Sequence, residues 1–229
     1  MNRDAPDRTT RIVIAEDHPL MAEGLRKLLD TEFQFVTVVG NGQELLDAAG
    51  AFKPDVALVD IVMPVLNGIE ATRRLRKISP TTKVVILTAH NDPQYVIEAF
   101  RAGSTGFVLK HCAFSELVIA IRRVLAGQTY VTPMLAENQA VEAPSENPLG
   151  PTLTSRQREV LQLVSEGCTA KEIAHALKLS VKTVVFHKMA LMEKLELHTT
   201  AELTRYALEH GIAATSYHPW TKSATNSPN

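Results

Sequence analysis

In the first half of the chain, apolar residues come in short unbroken runs. In the second half they recur at helical intervals. Ile12-Val13-Ile14-Ala15, Val56-Ala57-Leu58-Val59, Val84-Val85-Ile86-Leu87 and Phe107-Val108-Leu109 are strand-sized and lack polar alternation. Such runs predict strands buried on both faces, as in a parallel sheet. A further strand is expected over Phe35–Val39, before the turn Gly40-Asn41-Gly42. Amphipathic stretches separate the runs: Leu20 to Asp30, Gln43 to Ala51, Ile69 to Ile78, Pro93 to Ala102 and Ser115 to Leu125. Five such alternations predict a doubly wound α/β unit of the flavodoxin-like (βα)5 type over residues 11–130.

The pattern then changes. Residues 131–151 carry Pro133, Pro144 and Pro148 with Glu137, Glu142 and Glu146, and no sustained apolar period, which predicts a flexible acidic linker. Thr154 with Gln157 three residues on reads as a capping box, and Gly167 ends the helix that follows. Thr169, Ser180 and Thr199 or Thr200 cap three more helices. The last of these carries Leu203, Ala207 and Leu208 on its inner side and ends at Gly211. The result is an all-α four-helix unit over 152–212, with two short helices and a tight turn at Lys178-Leu179 that suggest helix-turn-helix. Residues 1–10 read as a disordered arm and 213–229, rich in Ser, Thr, Asn and Pro, as a disordered tail.

Composition adds little. The 229 residues carry a formal charge of −1, unevenly: nine Lys and Arg against seven Asp and Glu from Pro151 onward, fifteen against eighteen before it. That asymmetry is too mild to argue for nucleic acid alone. No apolar run is long enough to span a bilayer, so no membrane association is expected. Cys112 and Cys168 have neither CxxC nor metal-ligand spacing, so a reducing, cytoplasmic setting is expected.

The strand ends carry the chemistry. Glu16 and Asp17, Asp60, Thr88 and Lys110 all close strands, and in a parallel sheet they converge on one rim. Clustered carboxylates repel, and a hard cation such as Mg2+ relieves that repulsion while keeping sites for water and phosphate oxygens. A lysine and a hydroxyl suit the remaining oxygens of a phosphoryl group. Asp60 is then a candidate nucleophile for an aspartyl phosphate. Pro64 and Gly68 break the chain directly after it.

Residues 11–130 resemble the receiver domain of bacterial two-component response regulators. The resemblance rests on Glu16-Asp17, Asp60 with Met63-Pro64 and Gly68, Thr88-Ala89, and Phe107 three residues before Lys110. It implies that Asp60 takes phosphate from a sensor histidine kinase with Mg2+. Glu16, Asp17, Asp60 and the backbone carbonyl of Val62 would hold the metal. Thr88, Ala89, Phe107 and Lys110 would form the phosphate and switch positions. His111 follows Lys110, where many receivers have proline. His90 reads as a solvent-facing residue near the site.

On the third helix of the helical unit, Val184, Leu191 and Leu195 share one stripe, while Lys182, Phe186, Met189 and Glu193 project from the other side. Outward Phe186 and Met189 call for a partner, and a major groove offers thymine methyl groups. Residues 152–212 resemble the LuxR-type (NarL/FixJ) DNA-binding domain. The matching residues include Leu153-Thr154-Ser155-Arg156, Lys171-Glu172-Ile173-Ala174, Thr183-Val184, His187, Lys194-Leu195 and Ala201-Glu202-Leu203. The implied DNA-binding set is Arg156, Lys171, Lys182, Thr183, Val185, Phe186, His187, Lys188 and Met189 on double-stranded DNA. A homodimer, controlled by phosphorylation, would form through the last helix with Ala201, Leu203, Ala207 and Leu208. Val185, Ala170 and Ala190 replace polar residues frequent in the family. The expectation is a non-enzymatic transcription regulator. The alternatives are a helical unit that binds a protein, or a flavodoxin-like phosphatase, which is disfavoured because Val62 stands where a second catalytic acid would be.

Overall fold

The computed structural model describes residues 7–89, 93–111, 114–137 and 153–213. One unit is a six-stranded parallel sheet in the order β2-β1-β3-β4-β5-β6, built from β1 (Asp7–Ala15), β2 (Phe33–Val39), β3 (Val56–Asp60), β4 (Lys83–Thr88), β5 (Gly106–Leu109) and β6 (Tyr130–Val131). Helices α1 (Pro19–Leu29), α2 (Gly42–Phe52), α3 (Gly68–Ile78), α4 (Pro93–Ala102) and α5 (Phe114–Leu125) connect the strands. Because side chains alternate along a strand, each apolar run feeds two cores. Val13, Ala15, Val59, Ile86 and Phe107 pack with residues of α2, α3 and α4, whereas Ile12, Ile14, Leu58, Leu87 and Val108 pack with Leu29 of α1 and Leu117 and Ile121 of α5. Each fully buried aliphatic side chain contributes about 1.5–3 kcal/mol.

Two boundaries differ from the sequence expectation. The stretch from 131 is not a linker at its start. Tyr130–Val131 adds a sixth strand beside β5, and α6 (Pro133–Glu137) follows. Thr132 accepts the Leu109 backbone N–H on its hydroxyl at 3.1 Å, and Leu135 is buried in the core. A two-residue strand and a five-residue helix are too short to show a period, so sequence patterning missed them. Residues 7–10 of the expected arm belong to β1. The rest of the arm, the linker from 138 to 152, the tail from 214, His90 and Cys112 lie outside the described residues.

The second unit contains α7 (Ser155–Ser165), α8 (Ala170–Leu177), α9 (Val181–Lys194) and α10 (Thr200–Glu209). Thr154, Thr169 and Thr199 each close a capping box, and Ser180 caps α9. Lys178 takes the left-handed conformation (φ 53°) that turns α8 toward α9. Val160, Leu161, Ile173, Val184, Leu191, Leu203 and Ala207 form the core.

In α7, Glu159 through Val164 are all buried. One side of this helix faces its own unit and the other faces the α/β unit. Gln162 is fully buried there: its Nε2 donates to Met63 O at 2.8 Å and its Oε1 accepts the Asn67 N–H at 3.0 Å. Glu159 pairs with Arg74 and Arg158 with Glu98, the latter through both guanidinium nitrogens. The two units therefore meet mainly through α7, against the loop that follows Asp60 and against α3 and α4, with Gly211 beyond α10 close to Tyr95 of α4.

Candidate phosphoacceptor site and nucleic-acid interface

β1 and β3 are adjacent and in register, with Ala15 opposite Val59. Their ends therefore place Glu16 and Asp17 beside Asp60. Ligand atoms of Glu16, Asp17, His18 and Asp60 all lie within 4.8 Å of one another. Lys110, one residue past β5, reaches across β4. Its Nζ lies 2.7 Å from Asp60 Oδ2 and 2.7 Å from Glu16 Oε2. Burial raises the Asp60 carboxyl above its ordinary range; Lys110 opposes this and Glu16 adds to it. Burial alone would lower the Lys110 ammonium, but the Asp60 and Glu16 carboxylates outweigh it and raise it. One ammonium thus bridges two of the three carboxylates, and His18 lies against the third. Oxygen donors of this kind and number suit a hard divalent cation such as Mg2+.

The backbone fixes Asp60 closely. Gly68 opens α3, and a Cβ there would fall 1.9 Å from the Asp60 carbonyl oxygen. The Gly68 N–H donates to Ile61 O at 2.8 Å. Gly42 abuts the same loop, where a Cβ would fall 2.3 Å from Leu66 O. Between these glycines Val65 is held at φ 68°, in the left-handed region. Its backbone stabilises the carboxylate of Glu166, at the end of α7, whose pKa is raised by burial against the opposing Gln162 hydrogen bond and Val65 backbone.

Most of the expected phosphoryl-site residues come together. Thr88 is fully buried at the end of β4, and its carbonyl accepts the Lys110 N–H at 2.8 Å. Ala89 follows on the exposed rim. Phe107 is fully buried in the core, in register with Ile86. The Val62 N–H donates to Asp60 Oδ1 at 3.4 Å. Sequence reasoning missed His18, whose Nδ1 lies 2.8 Å from Asp17 Oδ1 and 3.2 Å from Glu16 Oε1. Its position next to the acidic pair was the available signal. It also missed Gln162, a polar residue inside an apolar helix run.

On the helical unit, Lys182, Val185, Phe186 and Met189 are exposed together on α9, and Lys171 is exposed on α8. The Thr183 hydroxyl lies 2.7 Å from Ser180 Oγ at the α9 cap. His187 is half-buried with its ring edge-on to Phe186. Lys188 donates to the Thr200 hydroxyl at 2.8 Å. Arg156 stands apart from this group. It pairs with Glu159 at 2.7 Å, on the side of α7 that faces the α/β unit, because Glu159 is the buried carboxylate nearest to it. The expected dimerisation set also divides. Leu203 and Ala207 are 0 % exposed and belong to the unit's own core, since α10 packs that stripe against the other helices. Ala201 is exposed and Leu208 half-buried.

A parallel α/β unit with an acidic, lysine-bridged rim, joined to a helix-turn-helix unit, defines a response regulator. Residues 12–122 match the response regulator receiver domain, and residues 151–207 match the bacterial regulatory proteins of the luxR family. The chain is similar to the transcriptional regulatory protein MctR of Rhizobium johnstonii, 35% identical over 89% of this chain and 95% of the relative. It is 34% identical to the oxygen regulatory protein NreC of Staphylococcus carnosus, over 87% of this chain and 97% of that one. The solved RcsB response regulator of Salmonella typhimurium covers 86% of this chain and 97% of its own, with 26% identity and a TM-score of 0.53. RcsB is also solved in complex with DNA. The chain belongs to the LuxR-type family of two-component response regulators.

Proposed function

We propose that Asp60 accepts a phosphoryl group from a sensor histidine kinase, and that this controls homodimerisation and DNA binding by the helical unit in the cytoplasm. The observation that carries the reading is the Lys110 ammonium, 2.7 Å from both the Asp60 and Glu16 carboxylates at the carboxyl end of the sheet. An Asp60 oxygen forms the new O–P bond as the P–N bond of a phosphohistidine breaks, leaving imidazole on the kinase and an acyl phosphate here. Mg2+ held by Glu16, Asp17, Asp60 and the Val62 carbonyl supplies neutralising charge when bound. Lys110 lies where it can contact a phosphoryl oxygen on Asp60. Thr88 and Phe107 serve as the switch pair, with Ala89 beside them.

A kinase needs a docking face near Asp60. Leu20 is 92% exposed at the start of α1, and Met21 and Leu28 are exposed on the same helix. Together with Leu117 and Lys110 they line an apolar cleft. For DNA, the reading uses the α9 face with Lys171, Lys182 and Lys188, and for the dimer the outer side of α10 at Ala201 and Leu208. No described helix is long and apolar enough to cross a membrane.

The test treats the full chain with acetyl phosphate and Mg2+ and weighs it intact. One added phosphoryl group is expected, absent in Asp60→Asn and without Mg2+. Selection from random duplexes is then run on the treated chain, the untreated chain and Asp60→Asn. Enrichment of a two-fold symmetric site that is stronger with the phosphodonor supports the reading; unmodified wild-type protein would refute the phosphoacceptor assignment.

A further inference from the structure

Helix α9 presents an unusual face. Val184 and Leu191 are buried on one side. Opposite them stand Phe186, 67% exposed, and Met189, 65% exposed, flanked by Val185 at 43%; Val181, also 43% exposed, lies one turn before Val184, nearer the buried side. Among the described residues of the helical unit, these four are all the large hydrophobic residues that are exposed. The only polar side chains on that face are Lys182 and Glu193. Helix α9 contains no Arg, Asn or Gln. The bidentate pairings that read guanine through Arg, or adenine through Asn or Gln, are therefore unavailable to it, which leaves Lys182 as the one side chain on that face able to pair with guanine. The contact between the two units uses Arg158, Glu159 and Gln162 of α7, so the α9 face stays open while they are docked.

Chemistry narrows the occupant. Lys182 lies on the same face, Lys171 and Lys178 are exposed on the preceding helix and its cap, and α9 itself carries three lysines against one glutamate. A cationic rim with an apolar centre complements a polyanion whose groove displays methyl groups. In the major groove, the thymine C5-methyl is the one apolar group on a base edge.

We propose that Val185, Phe186 and Met189 read thymine methyl groups in the major groove. Half-sites are then selected by apolar contact at thymines, while the lysines hold the phosphates and supply affinity without sequence. The proposal rests on the DNA-binding reading above.

Deoxyuridine lacks only the C5-methyl, so it isolates the contact. Each thymine of the selected half-site is replaced by deoxyuridine in turn, and binding of the full chain, treated with acetyl phosphate and Mg2+, is followed by fluorescence anisotropy at fixed salt. One buried methyl is worth about 0.8 kcal/mol, which converts to about a four-fold loss. Losses of about three- to ten-fold are expected at two or more thymines in each half-site. In Phe186→Ala and Met189→Ala, the thymine-to-uracil ratio at the matching position should fall to near one. Both side chains are mostly exposed, so these variants should fold, which circular dichroism checks. Tight binding with equal affinity for thymine and uracil at every position would overturn the proposal and leave the DNA-binding reading intact. Absence of binding to any duplex in any phosphorylation state would overturn both and favour a protein partner on this face.

Discussion

Replacing Gly68 with alanine tests the close approach of α3 to the end of β3 at Asp60. The added Cβ would lie 1.9 Å from the Asp60 carbonyl oxygen and 2.9 Å from both the Asp60 carbonyl carbon and Val59 Cγ1. Ordinary contact begins near 3.4 Å, so the helix start or the strand end must move by about 1.5 Å. The obstructing atom is backbone and cannot rotate away. Overpacking of this kind costs about 1–3 kcal/mol. The displacement also stretches the 2.8 Å hydrogen bond from the Gly68 N–H to Ile61 O, worth about 1 kcal/mol more. A total of about 2–4 kcal/mol lowers the melting temperature of a chain this size by about 4–16 °C. Gly24, inside α1, supplies the control. A Cβ there meets nothing within 4 Å, and alanine favours the helix by about 0.5–1 kcal/mol. Thermal and urea unfolding followed by circular dichroism should therefore shift in opposite directions for the two variants. Gly68→Ala should also slow phosphorylation by acetyl phosphate, because Asp60 moves. If Gly68→Ala unfolds within about 0.5 kcal/mol of the parent, the size of an ordinary surface substitution, the geometry behind Asp60 is wrong.

Three further outcomes are expected. Gln162→Leu leaves the Asn67 N–H and the Met63 carbonyl without their partners, so the units should separate; cleavage by a Glu-specific protease at Glu142 or Glu146 should rise several-fold, and an unchanged rate would show that Gln162 does not hold them. Burial raises the Glu166 carboxyl above its ordinary value of 4.5, so its favourable contribution is complete below that pH and is lost as pH rises through the raised value. Glu166→Gln should therefore stabilise the chain against urea at pH 7 and lose that advantage below about pH 4.5; an advantage equal at both pH values would refute the assignment. Burial, with Glu166 and Glu172 adding to it, pushes the Cys168 thiol up to about 11. In a Cys112→Ser background, iodoacetamide at pH 8 should then label Cys168 roughly 200-fold more slowly than an unperturbed thiol of pKa about 8.5, and fast labelling would contradict the raised value.

Strands β1, β3, β4 and β5 were legible because they are buried on both faces where they pair, which leaves an unbroken apolar run. The acidic rim was legible because parallel strands bring their carboxyl ends together, so Glu16, Asp60 and Lys110 could be grouped before any coordinates. The interface through α7 was not. A helix buried on all sides has no polar face to orient it, and Gln162 looks like an ordinary surface residue until Met63 and Asn67 are brought to it. The inner stripe of α10 misled for a related reason. Leu203 and Ala207 at an i, i+4 spacing satisfy either a core or a subunit interface, and only packing against the other helices decides between them. The strand β6 and helix α6 are set by Thr132 and Leu135, single contacts that no period announces.

Val65 gives the loop behind Asp60 a built-in energetic bias. A β-branched residue at φ 68° costs about 1–2 kcal/mol relative to extended backbone. The closed arrangement of the two units offsets that cost in part, because the Val65 backbone faces the Glu166 carboxylate and Gln162 grips the residues on either side. When α7 leaves, those restraints go with it, and any loop conformer that returns Val65 to negative φ is favoured by the strain it sheds. A release of about 1.4 kcal/mol multiplies the population of such a conformer tenfold. Separation of the units and rearrangement of the loop after Asp60 are then two readings of one equilibrium, and Val65→Gly should uncouple them.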